Sequence, residues 1–201
     1  MIEHEPWKGP YYEAGIDGQR IAIVGHSHHG DCDNDRFTLD TVADVISGRQ
    51  NLRFFNQISS YFDFQDRAEF WNRVLFFNYL PDAVGADEER YKFGTPEQIK
   101  RAMERFLRLI TKYHPQKVFV FSKGMWPELP PSREQGPPLN ITSGEIEGDG
   151  FVWCTYDSGD QIVMAFGLEH PERAPKEPMR QAVQRILAMP LTSAQRIEQS
   201  G

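Results

Sequence analysis

The residues of this chain best able to do chemistry crowd into one short stretch. Arg20 to Asp33 reads Arg-Ile-Ala-Ile-Val-Gly-His-Ser-His-His-Gly-Asp-Cys-Asp. It sets His26, Ser27, His28, His29, Asp31, Cys32 and Asp33 side by side just after an apolar run. Imidazoles exchange protons near neutral pH, so such a loop suits proton transfer. The spacing His26-x-His28, with Asp31 close behind, also suits metal ligation. Two more polar groups follow apolar runs farther on: Asn78 after Val74-Leu-Phe-Phe, and His170 shortly after Gln161-Ile-Val-Met-Ala-Phe.

The elements that must position these groups are legible as patterns. Ile21 to Val24 is a β-branched, apolar run that stops at Gly25. A buried parallel strand reads this way where its C-terminal end opens into a loop, and ligands of open α/β sheets bind at that end. Val74 to Asn78, Lys117 to Ser122, Phe151 to Tyr156 and Gln161 to Phe166 read as further strands. The Pro-rich stretch between Pro127 and Pro138 reads as loop.

Helices alternate with these strands. Thr38 reads as the N-cap of a helix ending at Gly48, with Val42, Val45 and Ile46 on its apolar face. Leu52 to Phe62 reads as a second helix whose Phe54, Phe55, Ile58 and Phe62 belong to the core. A short helix spans Asp66 to Trp71. Thr95-Pro96-Glu97-Gln98 is a capped helix start, followed by helical period to Tyr113. Lys100, Arg101, Arg105, Arg108 and Lys112 read there as a solvated face. Pro178 to Met189 closes the set. The pattern predicts one domain over residues 1–201, a three-layer α/β/α sandwich with a mainly parallel sheet. Residues 1–19 would form an N-terminal arm, and 191–201 a frayed tail. The loop after Gly25, Asn78 and His170 would then share one rim of the sheet, which makes a cleft there the expected site.

Composition narrows the class. Of 201 residues, 39% are hydrophobic and 12% aromatic, enough to bury a core. No apolar run approaches the roughly 20 residues of a membrane span, so no membrane partner is expected. Two cysteines are too few for a disulfide framework or a four-cysteine iron–sulfur cluster. Free thiols point to the cytoplasm. Neither GxGxxG nor GxxxxGK[ST] follows the first strand, and no cofactor is expected. The net charge of −7 gives no general attraction to nucleic acid.

The order of these motifs resembles the uracil-DNA glycosylase superfamily, from about Ile21 to Leu187. Gly25-His-Ser-His-His-Gly30 stands where that family has its Gly-started water-activating loop. Val74-Leu-Phe-Phe-Asn78 resembles its second strand, whose terminal Asn reads the edge of a flipped base. Phe37 matches the stacking aromatic, and His170-Pro171-Glu172 the His-Pro-Ser motif that supports the leaving base. The resemblance implies that the chain cleaves an N-glycosidic bond in DNA, with a damaged or modified base flipped into its pocket. His26 and Ser27 would position or activate water and His170 would stabilise the leaving group. Asn78, Phe37 and His28 would bind the base, and Arg173 and Lys176 would touch the DNA backbone.

Two positions differ from the family pattern. His26-Ser27 replaces the usual acidic or Asn water-positioning residue, and Glu172 replaces Ser. Both fit a glycosylase for another base, or a relative acting on a different ligand. Two other readings stay open: a non-catalytic binder of a base, nucleic acid or protein, and a metal-dependent hydrolase ligating through His26, His28 and Asp31.

Overall fold

A strand covered on both faces has no solvent side and so carries an unbroken apolar run. In the computed structural model, which describes residues 3–28, 34–81, 94–135, 139–143, 146–159 and 161–191, such runs form the centre of the sheet. In chain order the strands are β1 (Trp7–Lys8), β2 (Ile21–Gly25), β3 (Leu75–Asn78), β4 (Lys117–Val120), β5 (Glu134–Gln135), β6 (Leu139–Ser143), β7 (Ile146–Ser158) and β8 (Gln161–Gly167). The helices are α1 (Phe37–Ile46), α2 (Arg53–Tyr61), α3 (Arg67–Trp71), α4 (Pro96–Tyr113) and α5 (Lys176–Ala188).

The sheet runs β1-β3-β2-β4-β8-β7-β5, with β6 paired to β7. Strands β3, β2, β4 and β8 are mutually parallel, while β1 and β7 pair antiparallel at either side. Alternate residues of β2 face opposite ways. Ile21 and Ile23 meet α1, α2, α3 and α5 in one core, and Ala22 and Val24 meet α4 in the other. The chain is thus mixed α/β, with helices on both faces of a mostly parallel sheet. Among the described residues, no helix is long and apolar enough to cross a membrane.

The N-terminal arm is more ordered than an arm needs to be. Its Trp7 pairs with Phe76 as an edge strand, and its indole Nε1 donates to the Trp71 carbonyl at 2.8 Å. At α4 the expected capping box is present: Thr95 Oγ1 accepts from Gln98 N, and Gln98 Oε1 accepts from Thr95 N. At the far end of α5, buried Lys117 donates through Nζ to the carbonyls of Ile186, Leu187 and Met189 at 2.7–2.8 Å. Those are orphan acceptors of a helix C-terminus, satisfied by an ammonium.

Four local expectations need correction. Thr38 is not a cap: α1 begins at Phe37 behind Arg36, and the Thr38 hydroxyl is buried against His28. Arg105 is not on the solvated face of α4 but only 3% exposed. The Pro-rich stretch is not all loop: a 3-10 turn at Lys123–Glu128 runs into its start, and it contains strand β5. The strand expected at Phe151 already starts at Ile146, because β6 gives it an antiparallel partner. The tail beyond Leu191 lies outside the described residues.

Candidate active site

Sheet register fixes the heart of the site. The parallel pairing of β2 with β3 sets Gly25 opposite Asn78. Pairing continues past both strand ends, with Tyr79 N donating to Gly25 O at 3.0 Å and Leu80 N to His26 O at 2.9 Å. The first turn of the His-rich loop is therefore stitched to the exit of β3. Gly25 is required by close approach. A Cβ there would collide with Asn78 Oδ1 and touch Phe54 Cζ at 3.5 Å.

A cavity of about 570 Å³ opens at this rim. His26, Ser27, His28, Phe37, Asn78 and His170 all line it. Ser27, His28 and Asn78 are buried in its depth. Phe54, Phe55 and Phe76 form an apolar wall, and Asp40, Asp44, Arg53 and Glu172 stand toward the mouth. Apolar walls with a few convergent polar groups are the usual make-up of a small-ligand site.

The polar groups are held in defined states. Asn78 Nδ2 lies 3.1 Å from His28 Nδ1, and Thr38 Oγ1 lies 3.2 Å from His28 Nε2. An amide nitrogen only donates, so Nδ1 accepts and a neutral His28 carries its proton on Nε2, facing Thr38. His170 is set in a similar way. Its Nδ1 accepts from the backbone N–H of Glu172 at 3.3 Å, which leaves the proton of a neutral ring on Nε2. Phe54 backs this imidazole, with centroids 5.6 Å apart. The buried Ser27 hydroxyl has no hydrogen-bond partner among the described residues. A buried polar atom in that condition, inside a cavity, is suited to hold a water or a ligand atom.

Behind the cavity stands a second layer. His4, from the arm, is buried with its ring 4.3 Å from that of His28, and Phe37 meets His28 edge-on at 5.1 Å. Arg105 donates through Nη1 to the Asn78 carbonyl at 2.8 Å and through Nη2 to the His4 carbonyl at 2.7 Å. Burial pushes the Arg105 guanidinium down to about 10, while Glu3 and Asp35 favour its charge. It stays a cation at neutral pH.

Two expected backbone contacts sit apart from the cavity. Arg173 is exposed on the turn after His170, its N–H donating to the His170 carbonyl at 2.9 Å. Lys176 opens α5 and lines a separate polar groove with Arg67 and Arg180. Asp31, the third member of the alternative metal set, lies outside the described residues. Among the described residues no group of three His, Cys, Asp or Glu side chains is placed to hold a metal ion. Ligation by His28 would also break its bond to either Asn78 or Thr38.

Three site residues escaped the sequence reading: His4, Phe54 and Arg105. Arg105 had a signal. It lies three residues after Ala102 and four before Leu109, both buried, so helical period alone puts it on the core face of α4. Phe54 had none, because an aromatic beside Phe55 in an amphipathic helix looks like core. His4 is brought in by tertiary contact only. Compared with known proteins, the chain matches no protein-family model, and no curated protein matches it significantly.

Proposed function

We propose that the protein is a DNA glycosylase of the uracil-DNA glycosylase type, with the fold of that superfamily, hydrolysing the N-glycosidic bond of a damaged or modified base flipped out of DNA. One observation carries this reading: six residues from four separate segments, His26, Ser27, His28, Phe37, Asn78 and His170, line the same cavity. In the reaction the bond from C1′ to the base nitrogen breaks and its electron pair leaves with the base. A water oxygen bonds to C1′ and gives up a proton. His26 and Ser27 orient that water, and His26 can receive the proton. His170 donates from Nε2 to an oxygen of the departing base as negative charge builds on it. Asn78 reads the base edge and Phe37 or Phe54 supplies a stacking face. Arg173, on the turn after His170, and Lys176, at the start of α5, lie outside the cavity and would meet phosphates beside the flipped nucleotide. The buried Cys154 is a free thiol, in keeping with a cytoplasmic setting.

The test is base release from oligonucleotides holding uracil, hypoxanthine, xanthine or modified cytosines, read as strand breaks after alkali. Wild type runs beside Asn78→Ala, with and without chelator. Breaks that need Asn78 but survive chelation support the proposal and name the base. Breaks lost with chelator would move the chemistry to a metal. A second reading rests on the mouth: Asp40, Asp44 and Glu172 are balanced there by Arg53, by Arg36 on Asp40 and by Arg49 on Asp44, which leaves no cationic excess among these groups for a phosphate chain and suits a non-catalytic binder of another ligand. Absence of breaks on every substrate, with a ligand still bound, would select it.

A further inference from the structure

The cavity described above lies at the C-terminal ends of the parallel strands. The opposite rim of the sheet holds a smaller pocket of about 300 Å³. Its walls come from the places where strands begin: Arg20 ahead of β2, His114 between α4 and β4, and Gln161 at the start of β8. Lys8 enters from β1, and Lys112 from the last turn of α4. Three permanent cations and an imidazole therefore face one space, in a chain whose net charge is −7. Among the described residues that line it, Glu13 is the one carboxylate. Three cations less one carboxylate leaves two positive charges unanswered.

Cations do collect at helix C-termini to meet the free carbonyls there. At the end of α4 several of those carbonyls are already served. His114 N and Ser158 Oγ both donate to the Ile110 carbonyl, and Tyr12 Oη donates to that of Tyr113 at 3.1 Å. Arg20 Nε donates to the His114 carbonyl at 2.7 Å and its Nη2 to Gln161 Oε1 at 3.2 Å. Its Nη1 makes no hydrogen bond among the described residues. Lys112 serves no carbonyl. Its Nζ lies 5.1 Å over the Tyr113 ring, and among the described residues no carboxylate pairs with it. Lys8 is bound to Glu13 at 2.6 Å. The hydrogen bond from Lys8, with the charges of Lys8, Arg20 and His114, holds the Glu13 carboxyl below its ordinary range. One carboxylate thus answers to three basic groups at once. His114 itself has φ 48°, a left-handed helix end where glycine is the usual residue. A glycine would close the helix with less strain but bring no imidazole to the pocket.

Size and surroundings define the anion. Phosphate as a dianion matches the two unanswered charges, and a guanidinium suits its oxygens. An extended phosphate chain does not fit. Past Lys112 and Tyr113 the pocket runs into a groove with Glu3, Glu5, Asp35 and Glu104. There Arg108 is paired with Glu3 at 2.6 Å, and Arg105 is committed to two carbonyls. A nucleic-acid backbone would pass from cations straight onto carboxylates. We infer that this pocket is a binding site for a compact phosphoryl dianion, free phosphate or the phosphate of a small ester, held by Lys8, Arg20, Lys112 and His114, with Glu13 as the carboxylate it displaces. The site is on the far rim from the cavity and does not depend on the glycosylase reading.

The test follows backbone amide and His114 ring resonances of the full chain during titration with inorganic phosphate at constant ionic strength. Saturable shifts are expected at Tyr113, His114 and the Gln161 side-chain amide. Lys112→Gln removes an exposed charge and should weaken phosphate by about threefold or more. Glu13→Gln removes the competing carboxylate and should tighten it by a similar factor. Opposite signs from two exposed, fold-neutral changes are the signature of this site. Shifts that chloride reproduces, or an affinity that neither substitution moves, overturn the inference. A nucleoside 5′-monophosphate that binds more tightly than phosphate, with the same two responses, assigns the ligand to a small ester; equal binding assigns it to phosphate. A 5′-phosphorylated oligonucleotide that binds here more tightly than the mononucleotide overturns the compact ligand. None of these arms reads base release, so this inference and the glycosylase reading fail separately.

Discussion

Arg105 Nη1 donates to the main-chain carbonyl of Asn78 at 2.8 Å, so the residue whose side chain faces the cavity is gripped from behind by a buried cation. The second arm of the guanidinium holds His4, which lies against His28. One side chain of α4 thus ties the N-terminal arm to the end of β3. Removing it would leave two buried carbonyls without their donor. Arg105→Leu is expected to destabilise the fold by about 2–4 kcal/mol. Arg105→Lys, which can reach only one carbonyl well, should recover part of that. Urea denaturation midpoints at constant slope check both, and a loss under about 0.5 kcal/mol for Leu would deny Arg105 this role.

Ser27 gives the opposite balance between stability and function. Its buried hydroxyl lacks a partner among the described residues, so Ser27→Ala removes a desolvated polar group. Thermal stability should be unchanged or raised by about 0.5–1 kcal/mol. Base release should nevertheless fall at least tenfold. Equal activity in the two proteins would remove Ser27 from the water-positioning pair.

Gly25→Ala inserts a methyl group into the space taken by Asn78 Oδ1. Backbone or amide must shift, at a cost of about 1–3 kcal/mol. The amide edge that lines the cavity moves with it, so base release should drop more steeply than stability predicts. A crystal structure of the variant with Asn78 unmoved would contradict this.

Lys117 supplies a pH dependence far from the cavity. Burial pushes its ammonium from 10.5 down to about 8. The unfolded chain therefore holds this proton to higher pH than the folded one. Between pH 8 and about 10 the unfolded state binds more protons, and the linkage sign makes this contribution to stability rise with pH. Lys117→Met removes the group and with it that rise. The wild-type advantage over Lys117→Met should grow across this window by up to about 3 kcal/mol. A constant gap from pH 7 to 9.5 would show that the three carbonyls hold the ammonium near its ordinary value.

Much of the frame was legible because its signals are local. Ile21 to Val24, Leu75 to Phe77 and Val118 to Val120 are apolar without interruption, and only a doubly covered strand tolerates that. The Thr95 capping box needs nothing beyond its own four residues. The parallel order then brings Gly25 opposite Asn78, so the strand-end rule located the cavity's floor. What stayed hidden depends on contacts made across the chain. Thr38 has the composition of a cap but bonds to His28, ten residues earlier. Arg105 kept company with surface charges in sequence, although its spacing from Ala102 and Leu109 marked it as inward. His4 reaches the site only because the arm docks beside β3.

The cavity is assembled from two kinds of material. Its floor, Ser27, His28 and Asn78, lies at the end of β3 and just past the end of β2, where Gly25 and His26 are bonded to Tyr79 and Leu80. Its mouth, with Asp40, Thr41, Asp44, Gln50 and Arg53, comes from α1 and the segment entering α2, where side chains are half-buried or exposed. Substitutions at such sites usually change stability by less than about 0.5 kcal/mol. Descendants of this chain can therefore exchange the mouth freely while inheriting the floor unchanged. Divergence among them would appear as new ligand sizes and charges above one unchanged floor.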